Sequence, residues 1–230
     1  MNETLFQAAA LIVPLTLAIV FHEVAHGWTA RLLGDPTAAQ MRRLSLNPLR
    51  HVDPVGTIIV PGALALAKGP IMGWAKPVPV NKYRLRNPRF GMMAVAAAGP
   101  GSNLLLAAVG AVLLGLLFGS FQDAQAPSLV ARFAALNLFN FITINVFLAL
   151  FNLLPIPPFD GSHIVEGLLP ERAAAQYEQL RPLGFPIMLL LIVVLPWLVP
   201  GFDPIGKLVV PPVEWLTGQY MSLATLFAGG

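Results

Sequence analysis

The stretch "LFQAAALIVPLTLAIVFHEVAHGWTARLL", Leu5–Leu33, decides the fold. At about 1.5 Å of rise per residue it is long enough to cross a bilayer as a helix. It is broken by Pro14 and by "HEVAH", His22–His26, which sets two imidazoles and a carboxylate into an apolar run. Polar side chains at membrane depth are costly and mark function. The stretch has no basic n-region and no small-residue cleavage site ahead of a polar mature chain, so it reads as a retained span.

Working outward, the whole chain fits that setting. Of 230 residues 56% are hydrophobic and 11% charged, where an ordinary soluble domain has roughly a quarter charged. The length suits one polytopic domain over residues 1–230, without an added soluble module of ordinary size. With no cysteine, disulfides and thiolate metal sites are excluded, and a metal must be held by His, carboxylate or carbonyl oxygen. The net charge of +3 does not point to nucleic acid, because ten of the fourteen Lys and Arg lie between Arg31 and Arg89 and none precedes them. By the positive-inside rule the N-terminus lies outside, and the histidine end of the first span opens toward the cytoplasm.

Further spans are expected over Gly91–Gly119, from about Ala131 to Leu154, and over Leu183–Val199. The segment Gly56–Ala67 is apolar but short, which suits a re-entrant or interfacial helix. Pro77, Pro79 and the alternation through Val78 and Val80 favour a strand or hairpin within Gly73–Phe90. Ser120–Ser128 carries no Lys or Arg and reads as an external loop. The tail from Pro211 reads either as a last span or as an amphipathic interfacial helix. The expected fold is an α-helical integral membrane bundle of about four to six transmembrane or re-entrant helices with a small membrane-edge β segment.

His22 and His26, four apart, share one face of a helix, so both rings can reach one metal ion. Glu23 projects beside them as a general base toward a metal-activated water. Catalytic zinc takes a third protein ligand, and Asp35, His51, Asp53, Asp160 and His163 are the candidates. Asp35 in "LGDPT" and Asp53 in "HVDPVGT" suit turns, and His51 suits a bond to a loop carbonyl. Asp160 and His163 follow the third expected span and share the side of His26; spacing leaves both open.

"HEVAHG", "NPLRHVDPVGT", "GWAKPVPVN", "AAGPGSN" and "FNLLPIPPFDG", in that order, resemble the site-2 protease family of intramembrane zinc metalloproteases, from about Phe21 to Gly161. The resemblance implies one Zn2+ per chain, with Asp160 as the third ligand beside His22 and His26 and with Glu23 as base. It implies substrate contacts from Asn152 and from an edge segment carrying Trp74, Lys76, Val78 and Val80. Asn103 is expected to serve helix packing or a hydrogen bond near the site, and His163 to orient the Asp160 carboxylate. The implied partners are the lipid bilayer and a transmembrane protein substrate; a regulatory partner or homo-oligomer is left open. The absence of a cleavable targeting signal and the compact size suggest a prokaryotic plasma (inner) membrane. A zinc or divalent-metal transporter is the competing class; the scarcity of charge in the second and fourth spans, and a site at one end, favour the protease.

Overall fold

The computed structural model describes residues 3–66, 73–120, 128–199 and 201–229. Their regular secondary structure is all helical, and four helical stretches are long and apolar enough to cross a membrane: Leu5–Leu32, Pro88–Gly119, Leu129–Asn152 and Glu171–Leu198. The chain divides into two compact units.

One unit comprises Met1–Ala18, Pro100–Leu153 and Pro204–Gly230. It holds the first half of α1 (Glu3–Leu32), most of α4 (Pro88–Gly119), α5 (Leu129–Asn152) and α10 (Val210–Phe227). Small residues face inward here: Ala10, Ala107 and Ala111 are fully buried, whereas Ile12, Val13 and Leu105 are exposed. That is the pattern of helices that pack through small side chains and turn large apolar ones to lipid. Polar groups stitch the helices together. Asn140 Nδ2 donates to Ala10 O at 3.0 Å, and the buried Asn103 donates to Ala18 O at 3.2 Å and to Asn145 Oδ1 at 2.7 Å. Where α4 meets α10, a Cβ on Gly115 would lie 2.2 Å from Ala224 O, so only glycine permits that approach. The tail is thus a packed helix, with Tyr220 Oη donating to Leu104 O at 2.9 Å.

The other unit comprises Ile19–Gly99 and Leu154–Asp203. It contains the second half of α1, then α2 (Thr37–Gln40), a π-helical turn Pro54–Ile59 running into α3 (Val60–Leu66), and the first turns of α4. It continues with α6 (Asp160–Leu168), α7 (Glu171–Glu178), α8 (Gly184–Leu189), a π-helical stretch Leu190–Val194, and α9 (Leu195–Leu198). Its small apolar centre is Ala30, Leu85 and Val95, with Leu33, Val80 and Met92 against it. Pro54–Leu66 is helical and too short to span, as its sequence predicts.

The strand or hairpin expected within Gly73–Phe90 is not formed: among the described residues there is no strand. Gly73–Asn81 has no regular secondary structure, with Asn81 in extended conformation. Pro77 and Pro79 have no N–H to offer a ladder. Trp74 and Lys76 donate to Gly56 O and His51 O at 3.1 and 2.8 Å, and Val78 donates to a side chain. The loop expected over Ser120–Ser128 lies, apart from its two end residues, outside the described residues.

Candidate active site

α1 carries His22, Glu23 and His26 in its second half, and α6 begins at Asp160. His22 Nε2 and His26 Nε2 lie 3.1 and 3.3 Å from the same oxygen, Asp160 Oδ2. Among the described residues this is the cluster that could hold a metal, its three ligand atoms lying within 4.8 Å of one another. Both imidazoles are buried, at 7% and 9% exposure.

The donor set fits a cation. His26 Nδ1 lies 2.7 Å from Val95 O. A carbonyl only accepts, so Nδ1 bears the proton, which leaves Nε2 as the nitrogen able to offer a lone pair to a metal, the arrangement in which a second partner orients a ligating histidine. Asp160 Oδ2 is buried and lacks a hydrogen-bond donor. Lone pairs from three groups thus converge where a divalent ion would satisfy all of them. Space for the rings comes from Gly99 of α4: a Cβ there would lie 2.5 Å from His26 Nε2 and 2.6 Å from His22 Cε1.

Glu23, half-buried, is held by a contact that spacing does not reveal: its Oε2 accepts the Val78 N–H at 2.7 Å. The Gly73–Asn81 segment is in turn tied down by the buried Arg43, whose guanidinium donates to Lys76 O at 2.7 Å and Pro77 O at 3.4 Å. Val78 is buried against Gly27 of α1, and Val80 packs in the apolar centre. Lys76 is exposed. Trp74 stacks edge-on to Phe185 at 5.8 Å and lies over Gly56.

The remaining candidates go elsewhere. Asp35 is buried, accepting the Thr37 and Asn81 N–H groups at 3.0 and 2.6 Å, which fixes a turn. Asp53 caps the π-helical turn through the Val55 and Gly56 N–H groups, and His51 Nε2 meets Ser45 O at 2.7 Å. His163, one turn past Asp160, directs Nδ1 to Arg181 at 2.7 Å, and Arg181 also donates to Glu166. Burial and the Arg181 charge push His163 down to about 4. Asn152 ends α5 with its amide donating to Leu148 O at 2.9 Å, and Asn103 makes the interhelical bonds described above. Sequence reasoning passed over Asn145, Arg43 and Gly99. Asn145 carried a signal, a polar side chain inside an apolar span.

The model of peptidase family M50 matches residues 10–195 of this sequence. The chain belongs to peptidase family M50. It is a zinc metalloprotease of the site-2 protease type, a membership that implies intramembrane proteolysis and a protein substrate. It is 39% identical over 205 residues to YwhC of Bacillus subtilis (strain 168), named as a candidate zinc metalloprotease, covering 88% of this chain and 84% of that relative. It is 28% identical over 179 residues to Rip2 of Mycolicibacterium smegmatis (strain ATCC 700084 / mc(2)155), which bears the same description; there the match covers 77% of this chain and 64% of the relative. No solved structure matches. With four candidate spans, this M50 protein is an integral membrane protein.

Proposed function

We propose that this M50 peptidase binds one zinc ion through His22, His26 and Asp160. With Glu23 as general base, it hydrolyses peptide bonds in or near the transmembrane segments of membrane-protein substrates. The observation that carries the reading is the convergence of two imidazoles on one buried, donor-less carboxylate oxygen, with Glu23 one residue from the first imidazole. Zinc in such a site acidifies water and polarises a carbonyl. Glu23, steadied by the Val78 N–H, takes the proton of the attacking water and passes it to the leaving amine. A substrate helix must unwind first, because helical amides are engaged in their own hydrogen bonds. The segment with Trp74, Lys76, Val78 and Val80, tethered to Glu23, is suited to lie beside the unwound chain, and the family resemblance makes Asn152 the candidate amide donor for the developing oxyanion. The concentration of Lys and Arg between Arg31 and Arg89 supports a site that opens to the cytoplasm of a prokaryotic inner membrane.

The test is cleavage in proteoliposomes of two transmembrane substrates, one with an uninterrupted helix and one with a central Gly-Pro break, alongside zinc flux. Faster, chelator-sensitive cutting of the broken helix without flux is expected. Flux without cleavage would replace this reading with transport.

A further inference from the structure

Three exposed arginines gather where the first span ends and the second begins. Arg31 closes the last turn of α1, and Arg84 and Arg86 lie in the link that feeds α4. The two stretches touch: the Arg86 N–H donates to Leu33 O at 3.0 Å, and Arg86 Cγ lies 3.4 Å from where a Cβ on Gly34 would sit. Arg31 lies over the Trp28 ring at 5.2 Å, and Arg84 donates to Gln40 Oε1 at 2.9 Å and to Thr37 Oγ1 at 3.3 Å. Among the described residues the ion pairs involve Lys82 and Arg181 but none of these three. Asp35 is the acid that feels Arg84, yet it is fully buried with its oxygens committed to Thr37 and Asn81. An excess of positive charge therefore faces outward.

Its position says what it meets. The same junction exposes Trp28 at 48%, Leu32 at 72% and Phe90 at 52%. Aromatic and aliphatic side chains exposed at the end of a span belong at the headgroup boundary, with the cations on its wet side. Guanidinium groups offer planar forks that match phosphate oxygens, and a juxtamembrane cluster attracts acidic lipid. We propose that Arg31, Arg84 and Arg86 form a binding site for the phosphate of an anionic phospholipid, bordered on its acyl side by Trp28, Leu32 and Phe90. The site rests on membrane insertion and is independent of the proteolytic reading.

The full chain in neutral detergent is titrated with phosphatidylglycerol and with phosphatidylcholine of matching acyl chains, and retained lipid is counted by native mass spectrometry. The natural protein is expected to prefer phosphatidylglycerol. Each arginine removed is expected to weaken that binding roughly fivefold, so Arg31→Gln/Arg86→Gln loses more than about tenfold and leaves phosphatidylcholine unchanged. Arg42→Gln/Arg172→Gln removes equal charge from exposed positions outside the cluster and is expected to keep the preference. Arg86→Gln alone gives a second reading if the double variant is poorly folded. Equal retention of the two lipids, equal losses in the two double variants, or displacement of phosphatidylglycerol by inorganic phosphate would overturn the proposal.

Discussion

Replacing Gly99 by alanine separates the metal site from the helix that supports it. The added Cβ would lie 2.5 Å from both Cε1 and Nε2 of His26 and 2.6 Å from His22 Cε1. Ordinary contact needs about 3.4 Å or more, so each ring must give by roughly 0.9 Å. His26 cannot swing away cheaply, because its Nδ1 is tied to Val95 O at 2.7 Å. Ligand distances tolerate only about 0.2 Å, and even disturbing an outer partner of a ligand costs about 10–100-fold in affinity. Gly99→Ala is therefore expected to weaken zinc binding by more than about 100-fold. The helix itself should gain, since alanine in a helix interior is worth up to about 1 kcal/mol over glycine. Zinc content by elemental analysis, helicity and thermal midpoint by circular dichroism, and cleavage are read on one preparation. A variant that keeps stoichiometric zinc and full cleavage would refute the packing argument.

Other substitutions probe the supports. Arg43→Met removes the clamp on Lys76 O and Pro77 O and leaves both carbonyls short of a donor; a loss of about 1–3 kcal/mol is expected, read in detergent unfolding, and an unchanged midpoint would contradict it. Asn145→Leu strips the acceptor from the buried Asn103 amide and should cost about 1–2 kcal/mol in the same assay. The depressed His163 gives a pH signature. Folded His163 titrates at about 4 against an unfolded value of 6.5, so the unfolded chain binds the extra proton between those values and stability falls as pH drops through that window, by up to about 3 kcal/mol in all. Arg181→Gln should flatten that acid dependence in unfolding scans at pH 5 and pH 7, and an identical slope in both proteins would count against the account.

What could be read from the sequence follows from how local each signal is. His22 and His26 share a helix face by spacing alone, and three of the four long apolar stretches appear within a few residues of where hydrophobicity puts them, whereas the fourth begins at Glu171, ahead of the expected Leu183. Asp160 is 134 residues beyond His26; spacing left it level with His163, and the "NLLPIPPFDG" motif favoured it. Contacts between distant residues were illegible. Val78 looked like a strand residue because alternation is a local cue, but its N–H goes to Glu23, 55 positions away, and the flanking prolines deny a ladder. Gly99 looked like one of several small residues in a span; only the imidazoles opposite it give it a reason.

The central claim is that Glu23 moves protons at a metal held by other residues. Its direct test compares the natural protein with Glu23→Gln, measuring zinc per chain and cleavage of a transmembrane substrate on the same samples. The account predicts about one zinc per chain in both and a fall in cleavage of at least about 100-fold in the variant. Cleavage that survives the substitution, or zinc that leaves with it, would contradict the account.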